Sequence, residues 1–366
     1  MLRSRQVLVM ITPLSRLRID GILAFAQQHD WSITFHDRLG GLSPSFDYDG
    51  ILVTLRADRE MLDYVREARR RGITVVDLTI QRPKIKVPRV ISDHAAIGRL
   101  AGEHFRERGI RHAAWFSTGW SNVHRLRLCG FAEALGFRPE KWVTPDAGET
   151  QVLVKDAPHP TGILAYDETD AVRLLNICTV CGLSVPDDIA ILSIGDDPLI
   201  TDHQSVPISC IRQNFTKGGY AAAELLDRLM RGQQPPRQPV LIPPDGITIR
   251  RSTDTFADDD PVIARTLLYI RDNMNRSFGA AQIADALGVS RSVLDKTFTA
   301  KFRHSIGDEI LRHRLAKARI LLSEKRLNVN QIATTCGFCA PSYFIHKFTE
   351  KNGLTPLQWR KRQTEA

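Results

Sequence analysis

Two nine-residue stretches near the carboxyl end of the chain, QIADALGVS at 282–290 and QIATTCGFC at 331–339, are copies of one pattern. Both begin with Gln-Ile-Ala and carry a glycine at the seventh place. Each stretch reads as a short apolar helix, a glycine turn and the start of a second helix. Glycine readily adopts the positive φ that lets two helices meet at a sharp angle. Ser290 is well placed to cap the second helix of the first copy.

The correspondence continues beyond one inserted residue, at an offset of 50 instead of 49. Leu294 then matches Phe344, and Phe298 matches Phe348. Apolar residues therefore stand four apart in both second helices, as one face of a helix requires. One helical hairpin with a glycine turn is a weak signal, whereas two copies are a strong one. The repeat predicts two helix-turn-helix units in one chain.

A helical pattern over residues 305–324 connects the two copies and carries four basic residues. At a rise of 1.5 Å per residue it spans about 30 Å, close to the roughly 34 Å between successive major grooves on one face of DNA. The second helices of the two copies are thus spaced to enter adjacent grooves. A helical bundle that dimerises through these faces is the alternative, but it explains neither the spacing nor the charge.

Positive charge is concentrated in the same region. Residues 262–366 contain 18 Lys and Arg against 8 Asp and Glu, whereas the rest of the chain contains 32 and 33. A nearly neutral body followed by a strongly basic region indicates that this region meets a polyanion. Basic surfaces also serve solubility, so charge alone does not decide the matter.

The first 250 residues alternate short apolar runs with amphipathic helical patterns. This alternation predicts an α/β core of doubly wound parallel sheets, and its length suits two lobes with a ligand cleft at the carboxyl ends of the strands. The predicted strands are 6–11, 32–35, 50–54, 74–78, 112–116, 162–166, 189–194 and 247–250. The predicted helices are 17–29, 59–71, 95–108, 126–135, 169–181 and 215–231.

We expect three segments in this chain. Residues 1–251 form a two-lobed ligand-binding domain, 252–261 a polar linker with three consecutive aspartates, and 262–366 an all-α DNA-binding domain. No apolar run approaches the 18 residues that span a bilayer. The first eleven residues lack a small-residue cleavage site and read as a strand. We therefore expect a cytoplasmic protein.

Motifs of several other protein classes are missing from the sequence. It has no G-x-S-x-G elbow, no phosphate-binding G-x-x-x-x-G-K-[ST] loop and no H-E-x-x-H. A carbohydrate-active enzyme is thus one disfavoured alternative. An exported sugar-binding protein is the other, because the basic helical region and the missing leader argue against it. We expect no enzymatic activity.

Two C-x-x-C pairs, Cys178 with Cys181 and Cys336 with Cys339, invite a zinc interpretation. Zinc needs four converging ligands, and neither pair has a His or Cys nearby to complete the set. Buried, reduced thiols are the simpler interpretation. We expect no metal and no cofactor.

The repeated units, together with Phe338, Tyr343 and the closing segment Gly353–Arg360, resemble the AraC class of DNA-binding domain over about 100 residues. Arg303 stands where this class commonly has a glycine, so we expect the turn after the first recognition helix to differ. The resemblance implies DNA-binding positions on the two recognition helices: Arg291, Ser292, Asp295, Lys296, Pro341, Ser342, His346 and Lys347. Pro341 cannot donate a hydrogen bond to a base, which suggests that the second helix contributes mainly shape and phosphate contacts.

The first 250 residues resemble the ligand core of lactose/galactose-type repressors, which is itself similar to periplasmic sugar-binding proteins. The residues that carry this resemblance are Asp93 with Gly98, the segment Arg127–Phe131, Tyr166 with Asp167, the segment Pro186–Ala190, and Gly218 with Ala221 and Ala222. A neutral body of this type implies a small polyhydroxylated ligand held by forked and charge-assisted hydrogen bonds.

This resemblance implies six ligand-binding residues: Ser15, Arg16, Trp120, Arg127, Asp167 and Asp196. A helix-face salt bridge is the alternative role of Arg127, helix capping that of Asp167, and an exposed or core position that of Trp120. Gly195 stands where the family usually has the first Asp of Gly-x-Asp-Asp, and this departure bears on which sugar binds.

The combination of this core with an AraC-class domain resembles the family of xylose operon regulators. That resemblance implies a sequence-specific transcriptional regulator controlled by a sugar such as xylose. Promoter DNA and the sugar effector are then its partners. A homodimer is expected from the family, and RNA polymerase is a further partner if the protein is an activator.

Overall fold

A computed structural model describes the chain in six ranges: 4–12, 15–36, 45–56, 59–255, 260–324 and 327–365. The chain divides into two compact units, 1–254 and 255–366. Within the described ranges, no helix is both long enough and apolar enough to cross a membrane.

The first unit alternates strands and helices. Its strands are β1 (Arg5–Met10), β2 (Trp31–Phe35), β3 (Gly50–Val53), β4 (Thr74–Asp77), β5 (Val90–Ser92), β6 (His112–Ser117), β7 (Glu140–Val143), β8 (Thr161–Ala165), β9 (Ile189–Ile194), β10 (Ser209–Gln213), β11 (Val240–Ile242) and β12 (Pro244–Thr248). Its helices are α1 (Arg16–Gln28), α2 (Arg59–Arg70), α3 (His94–Glu107), α4 (Asn122–Leu135), α5 (Ala147–Asp156), α6 (Glu168–Cys181), α7 (Pro198–Thr201) and α8 (Phe215–Met230).

Lobe one is built on a parallel sheet of order β2-β1-β3-β4, with the parallel pair β5 and β11 beside it. Successive side chains of a strand point to opposite faces. Val7 and Val9 pack with residues of α1 and α8, whereas Leu8 and Met10 pack with residues of α2. Because helices cover both faces, the strand is apolar and buried from Val7 to Met10.

Lobe two has a six-stranded sheet of order β12-β10-β9-β8-β6-β7, which is parallel except for β12. Its core joins β6, β8 and β9 to α6, with Phe116, Ile163 and Ile191 fully buried. Helices α3 and α4 pack closely against each other, as α1 and α8 do beside lobe one. The predicted doubly wound, two-lobed α/β core is confirmed.

The end of the first unit includes residues that the sequence assigned to the linker. Ser252 and Thr253 are fully buried in a 3₁₀ turn, Arg251–Thr253. The Ser252 hydroxyl donates a hydrogen bond to the Ile191 carbonyl at 2.5 Å and accepts one from the Ser209 amide at 2.8 Å. The first unit therefore extends beyond residue 251, to Asp254.

The second unit contains only helices among its described residues. They are α9 (Pro261–Asp272), α10 (Ala280–Leu287), α11 (Arg291–Phe302), α12 (Ile306–Glu324), α13 (Val329–Thr335), α14 (Pro341–Asn352) and α15 (Pro356–Glu365). Helices α10 and α11 meet at Gly288, with φ 69°, and α13 and α14 meet at Gly337, with φ 72°. The two predicted helix-turn-helix units are present.

Each helix-turn-helix unit has its own hydrophobic core, and α12 serves both. Ile306 and Ile310 pack into the core around Phe298, whereas Leu315 and Leu322 pack into the core around Phe348. The connecting helix α12 therefore fixes one helix-turn-helix unit relative to the other. Its 19 residues correspond to a length of about 28 Å.

Arg303 ends α11 in the left-handed region, with φ 58°. The corresponding residue of the second copy, Gly353, ends α14 with φ 71°. The two turns thus share one backbone conformation, and the expectation of a different turn at Arg303 is wrong. An arginine at this position bears the steric cost that a glycine avoids.

Candidate ligand cleft and nucleic-acid interface

A cleft of about 330 Å³ lies between the two lobes of the first unit. Its walls are the segments that follow the parallel strands: Thr12 follows β1, Thr54 follows β3, Tyr166 follows β8 and Gly195 follows β9. Carboxyl ends of parallel strands share one edge of a sheet, which is where α/β proteins bind ligands. The volume is at the small end of the range for ligand sites and suits a compact molecule.

Arg127 of α4 is the most buried cation of the cleft, with 5% of the residue exposed. Its Nη1 donates to the Tyr166 carbonyl at 2.9 Å and its Nη2 to Oε1 of Gln213 at 3.3 Å. The guanidinium also lies 4.8 Å from the centre of the Tyr166 ring. Its Nε has no hydrogen-bond partner among the described residues. Burial lowers the pKa of Arg127, partly opposed by Tyr166, Asp167 and Glu168.

Arg18 of α1 reaches the same cleft from lobe one. Its guanidinium carbon lies 4.7 Å from the centre of the Phe215 ring. Within the described ranges it forms neither a hydrogen bond nor an ion pair. Burial lowers the pKa of Arg18 to about 10, and the negative charge of Asp77 opposes this shift. The side chain nevertheless stays cationic at neutral pH.

His94, the first residue of α3, is neutral. Burial and, to a smaller extent, the positive charges of Arg127 and Arg18 together lower its pKa to about 3. Its buried Nδ1 has no hydrogen-bond partner in the part of the chain that the structure describes. His124 stacks on Tyr166 at 3.9 Å between ring centres. Burial, with Arg127 nearby, lowers the pKa of His124 to about 4. The positive charge of the cleft therefore comes from its arginines.

Two carboxylates, Asp167 and Glu168, also line the cleft. Asp167 caps α6 by accepting from the Asp170 amide at 2.9 Å. Glu168 accepts from the Asp197 amide at 3.3 Å, and burial raises its pKa. A Cβ added to Gly195, where φ is 114°, would lie 2.2 Å from Oε1 of Glu168. The Glu168 carboxylate thus occupies the space into which a side chain at Gly195 would extend.

The structure brings three of the six sequence-derived ligand residues to the cleft: Ser15, Arg127 and Asp167. Arg127 is hydrogen-bonded to the Tyr166 carbonyl and the Gln213 side-chain amide. The alternative role considered for it, a salt bridge on a helix face, is therefore not observed. Asp167 both caps α6 and lines the cleft.

The other three, Arg16, Trp120 and Asp196, are not among the residues that line the cleft. Arg16 is exposed and 4.0 Å from Asp20. Trp120 is 45% exposed, with Nζ of Lys141 at 4.6 Å from its ring centre. Asp196 pairs with Arg250 at 2.9 Å and accepts from the Thr248 hydroxyl at 2.7 Å.

Sequence reasoning missed Arg18, His94, Glu168 and Gln213 as residues of the cleft. A signal for Arg18 was present, because Arg18-x-x-Gly21 has the same spacing as Arg127-x-x-Gly130. No comparable pattern marks the others, whose positions depend on the packing of separate strands.

The first recognition helix, α11, presents Arg291, Ser292 and Lys296 to solvent. Ser290 caps it by accepting from the Val293 amide at 3.3 Å. Asp295 is half-buried and forms an ion pair with Arg291 at 3.4 Å. On the opposite face Leu294 and Phe298 are fully buried. The proposed base-reading residues of α11 thus share the face that the core leaves open.

The second recognition helix, α14, exposes Pro341, Ser342 and His346. Pro341 is its first residue, a position that proline tolerates well. Lys347 is half-buried and bonded to Glu350 at 2.7 Å, and His346 lies 3.8 Å from the same carboxylate. Two of the four residues implied on this helix are therefore engaged by one acid.

Two family models match this chain. A periplasmic binding protein-like domain matches residues 103–253, and a helix-turn-helix domain matches residues 283–362. The two domains define the class of the protein, a DNA-binding transcription regulator with a ligand-binding core.

Several known proteins are similar to this chain over most of its length. The xylose operon regulatory protein of Escherichia coli (strain K12) is 28% identical over 293 residues, which cover 76% of this chain and 74% of that protein. The protein of the same name from Haemophilus influenzae is 26% identical over 289 residues, covering 75% and 74%. A solved structure of a xylose-binding transcription activator has the same fold, with a TM-score of 0.63, 23% identity and 98% of both chains covered. The predicted resemblance to xylose operon regulators is confirmed.

Proposed function

We propose that the protein switches the transcription of specific genes when a small polyhydroxylated ligand, a sugar or sugar derivative, binds between the two lobes of its first unit. The observation that carries this proposal is the coexistence of a polar cleft at the strand ends with two helix-turn-helix units in one chain. Its relatives are transcription regulators, and the rival classes, an enzyme or an exported sugar-binding protein, would have no use for the helical unit.

The two recognition helices would bind adjacent major grooves of promoter DNA. Lys296 is exposed on α11 and is the best candidate for reading a base edge, since lysine pairs with the acceptor atoms of guanine. Arg291, Ser292 and Asp295 flank it. On α14, Ser342, His346 and Lys347 would contact phosphates, and Pro341 would contribute shape alone.

Ligand binding would close the two lobes over Arg127 and Asp167, with Ser15 on the facing wall. A ligand shifts such an equilibrium only by its differential affinity for the open and closed states. Residues from both lobes line the cleft, so a ligand that touches both prefers the closed state. Closure would change the relative orientation of the two DNA-binding units in a homodimer. Arg16, Trp120 and Asp196 stay candidates for contacts made only after closure.

Xylose is one candidate ligand, because the relatives are named for the xylose operon. The Glu168 carboxylate beside Gly195 gives this chain a different arrangement of acids from the family's usual Gly-x-Asp-Asp. A cytoplasmic location fits a regulator that acts on DNA, and RNA polymerase would be a partner if the regulator activates transcription.

Selection from a random duplex pool with the full chain tests the DNA-binding part. Enrichment of two short motifs about one helical turn apart, roughly 10 base pairs, is the result expected. A matched control variant carries Leu294→Asp and Phe344→Asp, which disrupt the cores of the two helix-turn-helix units. This variant should enrich no motif. If the intact chain enriched no motif, sequence-specific binding would be refuted.

A further inference from the structure

The two lobes repeat one local arrangement of helices. A Cβ built on Gly98 of α3 would lie 2.0 Å from the carbonyl oxygen of Arg127, so these backbones touch. In lobe one, a Cβ built on Gly219 of α8 would lie 2.0 Å from the carbonyl oxygen of Arg18. Arg18 and Arg127 therefore occupy equivalent positions in the two lobes, each packed on a glycine of a neighbouring helix.

The partner helices repeat as well. Gly98 is five residues beyond the cap Asp93, and Gly219 is five residues beyond the cap Asn214. The first residues of these helices, His94 and Phe215, both line the cleft. The repeat thus extends over both helix pairs and brings one guanidinium to the cleft from each lobe.

Neither guanidinium is neutralised by an ion pair within the described ranges. Arg127 is bonded to a carbonyl and an amide, and its Nε is buried without a partner. Arg18 faces an aromatic ring. His94 is close enough to both for each positive charge to lower its pKa. Two cations on opposite lobes thus share one small cavity.

The other charged groups of the cleft do not cancel this pair. Arg56 adds a third guanidinium, and the acids are Asp167 and Glu168. Asp167 is committed to capping α6, and Glu168 to the Asp197 amide. Both carboxylates oppose the lowering of the pKa of Arg127, but these two acids line the cleft together with three guanidiniums. The cleft is therefore cationic where the lobes face each other.

We propose that the ligand is a polyhydroxylated compound bearing an acidic group, carboxylate or phosphate, which is held between Arg18 and Arg127. This inference rests on the proposed function and specifies its ligand class. Like charges on the two facing walls repel and favour the open cleft, whereas an anion between them forms strong charge-assisted bonds to both. A neutral sugar would leave both cations unneutralised on closure, which is costly.

Thermal shift and calorimetry on the full chain test this ligand class. The probes are xylose, glucose and galactose; gluconate, galactonate and glucuronate; and glucose 6-phosphate. At least one acid should raise Tm where the neutral sugar of the same skeleton does not. A response to acids alone, or to the phosphate alone, identifies which anionic group is read.

Variants of the full chain test whether the positive charge of Arg18 binds the acidic group of the ligand. Arg18→Gln should weaken binding of the active acid by roughly 10- to 100-fold, while Arg18→Lys, which keeps the charge, should retain most of it. Arg66→Gln, an exposed arginine of α2 paired with Asp63, is the matched control and should bind normally. If Arg18→Gln lowers Tm without ligand, the test is the calorimetric affinity of the parent chain for the active acid compared with its affinity for the neutral sugar of the same skeleton.

The outcomes separate this inference from the proposed function. Equal binding of neutral sugars, unaffected by Arg18→Gln, would overturn the anionic ligand and leave sugar control intact. No response to any probe would overturn both the anionic ligand and sugar sensing. The selection of DNA sequences would still decide independently whether the protein is a regulator.

Discussion

Arg303 and Gly353 occupy equivalent positions, fifty residues apart, at the ends of the two recognition helices, and both have positive φ, 58° and 71°. Only glycine adopts this conformation without steric cost. The first copy thus carries a strained residue at a position where the second has the optimal one.

Arg303→Gly should stabilise the second unit. Relief of the left-handed strain is worth about 1–2 kcal/mol, and the greater freedom of glycine in the unfolded chain removes part of it, leaving roughly 0.5–1 kcal/mol. Urea unfolding followed by circular dichroism measures the change. Gly353→Ala is the reciprocal control and should destabilise; an Arg303→Gly variant less stable than the parent would contradict this account of the turn.

Lys296→Gln should relax sequence preference at one base pair of the site. Loss of a base contact costs about 1–3 kcal/mol of discrimination at that position alone. Binding of single-position variants of the selected duplex measures it. Lys301→Gln, at the exposed end of the same helix, is the control and should affect all sequences equally. If Lys296→Gln weakened binding of all duplex variants equally, Lys296 would contact a phosphate and not a base.

DNA affinity should fall steeply with salt. The excess of basic residues in 262–366 implies several phosphate contacts, and each contact releases counterions. Between 50 and 200 mM salt the affinity should fall by at least roughly 100-fold. Fluorescence anisotropy at fixed pH gives the slope. If DNA affinity did not change between 50 and 200 mM salt, the basic residues of 262–366 would not be contacting DNA phosphates.

Stability of the first unit should fall as pH drops below about 6.5. His104 is 4% exposed, its Nδ1 accepts from Arg108 at 3.1 Å, and its Nε2 lies 2.9 Å from the Thr253 hydroxyl. Burial, then Arg108, lowers its pKa well below the usual value. Since the folded pKa is the lower one, the unfolded chain takes up the proton first, and acid favours unfolding.

The expected loss from this one histidine between pH 7 and 5.5 is about 1 kcal/mol. Urea unfolding followed by tryptophan fluorescence at each pH measures it, and His104→Gln should reduce the slope. His112→Gln, at an exposed position, is the matched control. If His104→Gln and the parent had the same slope, the buried neutral histidine would not be its source.

Much of the fold was predictable from the sequence because its strands are buried on both faces. Runs such as Ile189–Ile194 are fully buried and apolar except for Ser193, and the repeated glycine turns marked the helical unit directly. The missed strands are short or polar: β5 and β11 have three residues each, β7 begins with Glu140 and Lys141, and β10 includes Arg212 and Gln213. Their strand character depends on pairing with distant neighbours.

The cleft was predictable only in part. Arg127 was found through its motif, and Asp167 through its place after a strand. Arg18 was passed over for Arg16, two residues earlier, which is exposed to solvent and does not line the cleft. The two residues lie about 200° apart around the helix axis, so the rotation of α1 about its axis decides which of them faces the cleft. The contact of α1 with Gly219 of α8 sets that rotation.

Ligand binding in the cleft is expected to change the affinity of the helical unit for DNA. The most direct measurement is the Kd of the full chain for its selected duplex, with and without a saturating concentration of the compound that raises Tm. We expect the compound to change this Kd at least fivefold, and we expect Arg127→Gln to abolish the change while binding DNA normally without ligand. An identical Kd with and without the bound compound would contradict this expectation.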